Sequence, residues 1–139
     1  MQVAVVNLVP TPYREPLYRS LSRTAGLSLR VFYLQSRDSL RGWAGCSSPY
    51  ESITLPCLTP EFLYPLPLIG VLNRGLIPHL RRFSPHCLLI HGYSYLPQMQ
   101  AMRWAIRNRV PYLVWADSNS HRLGQIGRAS CRERVCQYV

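Results

Sequence analysis

Unbroken apolar runs alternate along this chain with segments whose apolar positions recur every three or four residues. Gln2 to Val9 is short, apolar and valine-rich, which predicts a buried parallel strand. Thr11-Pro12 interrupts it. From Tyr13 the period changes: Tyr13, Leu17 and Leu21 recur every four residues with Tyr18 beside them, and Arg14, Glu15, Arg19 and Arg23 occupy the other faces. This predicts an amphipathic helix. Pro16 falls in its first turn, where a missing N–H is harmless, and Gly26 supplies a stop. Leu27 to Leu34, with β-branched and aromatic residues, predicts a second strand.

Between residues 35 and 72 the pattern weakens. Gln35 to Tyr50 is polar and turn-rich, Tyr50 to Leu55 suits a short strand, and Pro56, Pro60, Pro65 and Pro67 punctuate a run of leucines. Those prolines forbid a continuous helix and predict an irregular segment packed over the domain. A helix is predicted from near Gly75, with Leu76, Ile77, Leu80 and Phe83 as its buried stripe and Ser84-Pro85 as its stop. His86 to His91 then reads as a buried strand ending at Gly92. Tyr95 to Asn108 reads as a helix whose core stripe is Leu96, Met99, Met102 and Ile106, and Pro111 to Ala116 as a last strand ending at Asp117. The alternation predicts an α/β domain: a doubly wound, mostly parallel, Rossmann-like sheet. No internal repeat or low-complexity tract is present.

Composition narrows the classes. An apolar fraction of 47 % against 16 % charged residues suits a chain with a real core and excludes a disordered one. The net charge is +10, and all 16 basic residues are arginine. A total absence of lysine points to codon bias in a GC-rich genome; the other reading is a positive face for an anionic partner. The five cysteines, Cys46, Cys57, Cys87, Cys131 and Cys136, form no CxxC pair. An odd count without that spacing predicts a reduced, cytoplasmic chain with neither a disulfide framework nor a metal site. The opening Val3-Ala4-Val5-Val6, with no basic leader or cleavage site visible before it, predicts a chain without a signal peptide, and no apolar run reaches the ~20 residues of a spanning helix.

Residues 126–139, Ile-Gly-Arg-Ala-Ser-Cys-Arg-Glu-Arg-Val-Cys-Gln-Tyr-Val, fit neither period. They resemble translated sequencing-adaptor DNA, so the expected organisation is one domain over residues 1–125 followed by a non-native tail.

Chemistry is expected beyond the carboxyl ends of the strands. Three polar clusters fall there: Val9 to Glu15, His91 to Ser94, and Asp117 to Arg122. The first lacks the glycines that would let a backbone approach a pyrophosphate, and neither a Walker A motif nor a GxSxG elbow occurs. The first strand also lacks the acidic cluster of a receiver domain. Arg14, at a helix start, can meet an anion or pair with a surface carboxylate. His91 can donate a hydrogen bond to a sugar hydroxyl, carry a proton, or be satisfied by backbone. His79 and His86 read as surface residues. Asp117 is the candidate catalytic acid: it can orient an acceptor hydroxyl or take its proton, and it can equally cap a helix. No second carboxylate stands close in sequence, which argues against a paired-acid glycosidase.

Pro10-Thr11-Pro12-Tyr13-Arg14-Glu15-Pro16-Leu17-Tyr18 between two such strands resembles the start of a family-four, GT-B-type glycosyltransferase. The resemblance continues through Asn73 to Ile77, Leu88 to Ser94, and Pro111 to Ser118, and spans most of residues 1–125. It implies one half of a GT-B fold, the acceptor-side domain, which would face a nucleotide-sugar-binding domain across a cleft. Transfer in such enzymes is metal-independent and retaining, and needs no cofactor. The implied partners are a nucleotide-sugar donor and a glycan or lipid-linked acceptor, with peripheral contact at the inner membrane face and no nucleic acid. The resemblance puts Thr11, Tyr13, Arg14, His91, Tyr93 and Ser118 at the substrate. Asp117 stands near where relatives carry a functional histidine, a departure from their pattern. The alternative is a stand-alone α/β ligand-binding or regulatory domain.

Overall fold

The computed structural model describes residues 1–36, 49–64 and 66–115. In chain order these form β1 (Gln2–Asn7), α1 (Glu15–Ser22), β2 (Ser28–Tyr33), β3 (Glu51–Thr54), a 3-10 turn (Glu61–Leu63), α2 (Leu76–Phe83), β4 (Cys87–His91), α3 (Leu96–Arg107) and β5 (Tyr112–Trp115). The strands make one sheet in the order β3-β2-β1-β4-β5, and every pairing is parallel. This is the strand order of a doubly wound, Rossmann-like α/β domain.

The sheet divides its side chains by parity. Val5 of β1 and Val31 and Tyr33 of β2 pack under α1 with Tyr18 and Tyr50. Ala4, Val6, Phe32, Leu88 and Ile90 point the other way, against Leu76, Leu80 and Phe83 of α2 and Ala101, Trp104 and Ala105 of α3. Each large apolar side chain buried in these two layers contributes about 1.5–3 kcal/mol. The chain runs from β1 toward β3 on one side and from β4 toward β5 on the other. The direction therefore reverses between β1 and β4, where Val6 pairs with Ile90.

Two helices turn a different face inward from the one their hydropathy predicts. In α1, Tyr13 and Leu17 are exposed, while Arg14, Glu15 and Tyr18 are buried and Leu21 packs at the edge of the core. Arg14, Tyr18 and Leu21 share a stripe at four- and three-residue spacing, and hydrogen bonds rather than hydropathy hold Arg14, Tyr18 and the neighbouring Glu15 inside. The helix also ends earlier than predicted, at Ser22. Gly26, with φ +77°, serves the turn into β2 instead. In α3 the exposed apolar residues are Leu96, Met99 and Ile106, with Met102 half-buried. The inward face is Pro97, Gln98, Ala101, Trp104 and Ala105. Small residues at Ala101 and Ala105 let the helix approach the sheet closely, which Met99 and Ile106 would not.

The irregular segment is ordered by Asn73, whose side-chain amide donates to the carbonyls of Leu34 and Pro56 at 2.7 and 3.0 Å. Gly70 packs against carbonyls of Leu63, Tyr64 and Leu66, so closely that a Cβ would lie 2.4–2.8 Å from them. His86 is exposed, as expected, and its Nδ1 accepts from the Gln2 amide at 3.0 Å. His79 is half-buried against the Phe32 ring, not a surface residue. Among the described residues no helix is long and apolar enough to cross a membrane.

Candidate functional site

The reversal point between β1 and β4 is where an open parallel sheet offers a ligand crevice, beyond the carboxyl ends of its strands. Asn7 ends β1 and His91 ends β4, and both are buried. The loop leaving β1 is set by its prolines. Pro12 follows Thr11 in a turn closed by the Arg14 amide donating to the Thr11 carbonyl at 3.0 Å, with proline in its favoured second place. Pro16 then lies in the first turn of α1. This local geometry brings Arg14 back over the end of β1.

Arg14 is 9 % exposed, although an arginine is almost never buried without partners. Its Nη1 donates to Asn7 Oδ1 at 3.2 Å. Its guanidinium lies 5.1 Å from the Tyr13 ring centre and 5.8 Å from that of Trp115, the last residue of β5. Both rings are about half exposed, so they flank the cation while leaving the region open to solvent.

Asn7 passes the contact inward. Its Oδ1 also accepts from the Leu8 amide at 2.9 Å, and its Nδ2 donates to Tyr18 Oη at 3.2 Å. Tyr18 Oη lies 2.9 Å from His91 Nε2. The imidazole rests 5.3 Å from the Trp115 ring. Beside this chain runs a second one: Tyr50 Oη donates to Glu15 Oε1 at 2.6 Å and lies 2.7 Å from Tyr33 Oη. Because Tyr50 gives its proton to Glu15, Tyr33 donates to Tyr50. Glu15 opens α1, where the helix dipole favours a carboxylate. Burial pushes the Tyr18 and Tyr33 hydroxyls far above the ordinary phenol range, and for Tyr33 the bond to Tyr50 adds to it. Both stay neutral donors.

The backbone of His91 is held as firmly as its ring. Gln98 Nε2 donates to the His91 carbonyl, and Gln98 Oε1 accepts from the Tyr95 amide at 3.0 Å. Gly92 has φ +79°, and a Cβ there would sit 3.1 Å from Gln98 Nε2. The glycine therefore admits the Gln98 side chain as well as a turn.

Of the residues expected at the substrate, Tyr13, Arg14 and His91 belong to this cluster. Thr11 closes its loop; it is buried, and its Oγ1 has no partner among the described residues. Tyr93 is exposed on the loop after β4 and makes no hydrogen bond or ring contact among the described residues. Asp117 and Ser118 lie outside the described residues, as do Cys46, Cys131, Cys136 and residues 126–139. Glu15 belonged to the first polar cluster but was not singled out, and Asn7, Tyr18, Tyr50, Gln98 and Trp115 were not expected at the site. The one signal for Asn7 was a carboxamide ending an otherwise apolar strand. Among the described residues no three His, Cys, Asp or Glu side chains come together as a metal site requires.

No family model matches the chain, and no curated protein matches it. Among solved structures, it is similar to the UDP-GlcNAc 2-epimerase from Neisseria meningitidis bound to UDP-GlcNAc. The identity is 16 % and the TM-score 0.49, over 88 % of this chain and 34 % of that one. The chain thus spans about a third of that enzyme's length. Strand order, rather than this likeness, defines the fold.

Proposed function

We propose that this chain is the acceptor-side half of a GT-B-type glycosyltransferase, which moves a sugar from a nucleotide-sugar donor to a glycan or lipid-linked acceptor. The observation that carries the reading is the arrangement at the sheet's reversal point. A buried arginine is clamped by Asn7 between two half-exposed aromatic rings, and two of the residues that build it, Tyr13 and Arg14, come from the Pro-Thr-Pro-Tyr-Arg-Glu run. Aromatic rings suit the apolar faces of a sugar, and Arg14 suits an oxygen-rich or anionic group. The donor would be held by a second α/β domain, and a chain of this extent would have little activity without it. Asp117 and Ser118, which follow β5 in the sequence, would act at the acceptor.

Exposed Phe62, Leu66, Leu68 and Ile69, together with the arginine excess, support peripheral contact of a cytoplasmic enzyme with an anionic membrane face. Transfer of labelled sugar by the chain joined to its donor domain tests the reading. Arg14→Ala and Asp117→Asn should each lower transfer at least tenfold with the fold intact, tenfold being about 1.4 kcal/mol of transition-state binding. Unchanged turnover in Arg14→Ala would remove the reversal point from the reaction, and unchanged turnover in Asp117→Asn would reduce that residue to a helix cap.

A further inference from the structure

The Asn7–Tyr18–His91 chain has a direction. Asn7 Oδ1 accepts from two groups that can only donate, the Leu8 amide and the Arg14 guanidinium. The amide end of Asn7 must then face Tyr18, and Tyr18 Oη accepts from it. Tyr18 is fully buried, and among the described residues its hydroxyl touches only Asn7 and His91. The phenol proton has one acceptor left, the Nε2 lone pair of His91. An imidazole accepting at Nε2 carries its proton at Nδ1, the second nitrogen.

We infer that Tyr18, oriented by Asn7, is a positioning residue that holds His91 as the Nδ1–H tautomer. His91 Nε2 is therefore an acceptor used inside the protein, not a base at the reversal point. Its Nε2 lone pair is engaged by the Tyr18 hydroxyl inside the protein and takes no proton from a ligand. Trp115, stacked near the ring, and Gln98, which grips the His91 carbonyl, keep the imidazole from turning over. The inference stands on the buried chain alone and is independent of the transferase reading.

The test is two-bond ¹H–¹⁵N correlation of the imidazoles in the labelled full chain, at a pH well above the ordinary histidine range. His91→Gln assigns the signal among the four histidines. In the wild type, His91 should show a bare, pyridine-like Nε2 and a protonated Nδ1. Asn7→Asp replaces the amide donor with an acceptor, which should reverse the chain and move the His91 proton to Nε2. Tyr18→Phe should abolish the single-tautomer signature. A protonated Nε2 in the wild type would overturn the inference, as would an unchanged tautomer in Asn7→Asp. Should Tyr18→Phe fail to fold, the wild type and Asn7→Asp still decide.

Discussion

Under α2 and α3 the sheet presents Ala4, Val6, Phe32, Leu88 and Ile90 to an almost wholly apolar layer. Under α1 the same strands set Asn7, His91 and Tyr33 beside Tyr18, Tyr50 and Glu15. Both layers are equally closed to water, yet one is held by hydrocarbon contact and the other by directed hydrogen bonds. The difference follows the chain's reversal between β1 and β4: the buried polar side chains of those strands, Asn7 and His91, stand at their carboxyl ends. A layer that must keep six polar side chains satisfied tolerates fewer substitutions by shape and more by chemistry.

The comparison can be broken first on its apolar side. Leu80 is fully buried in α2, and Leu80→Ala should cost about 2–5 kcal/mol in urea unfolding, through lost transfer and an unfilled cavity. On the polar side Tyr18→Phe keeps the shape and removes one oxygen, leaving Asn7 Nδ2 and His91 Nε2 buried without their partner. Urea unfolding should show a loss of about 1–3 kcal/mol. A loss near zero would mean that the layer is held by packing alone.

Alkaline pH separates the layers further. Burial keeps Tyr18 and Tyr33 neutral in the folded chain well above the ordinary value of 10.0, at which they ionise when unfolded. Their contribution is fully present below that value. Above it the unfolded chain binds fewer protons, so stability falls by about 1.4 kcal/mol per pH unit for each tyrosine. Unfolding free energies measured across this range should decline less steeply in Tyr33→Phe, by one tyrosine's share. An equal decline in that variant would place the titration elsewhere. The smallest effect belongs to the outer face of α3. Met99 is 44 % exposed, and Met99→Gln should change stability by less than about 0.5 kcal/mol in the same unfolding measurement.

These two layers also differ in how far the amino-acid sequence discloses them. Apolar runs and the Leu76, Leu80 and Phe83 stripe led directly to four strands and α2, because burial there needs only hydrocarbon. In α3 two apolar stripes compete. Hydropathy favours Met99 and Ile106, whereas the small Ala101 and Ala105 decide which face can reach the sheet. In α1 the buried stripe contains an arginine and a tyrosine, and Glu15 is buried beside it. Their partners lie on other elements: Asn7 ends the preceding strand and Tyr50, itself bonded to Tyr33, is 35 positions from Glu15, so no local period marks them. The loop Thr11 to Arg14 was legible because its prolines dictate a turn. The Tyr18–His91 contact joins residues 73 positions apart and needed the fold.

The central claim, that this domain is one half of a two-domain transferase, is tested most directly by resequencing the source DNA across codon 125 and onward. For a two-domain transferase, the reading frame leaves the Ile126 to Val139 segment behind and continues into a second α/β domain carrying a pair of glutamates for the sugar nucleotide. A frame that ends at Val139 in the source DNA would contradict it, and the polar cluster at the reversal between β1 and β4 would then belong to a stand-alone ligand-binding domain.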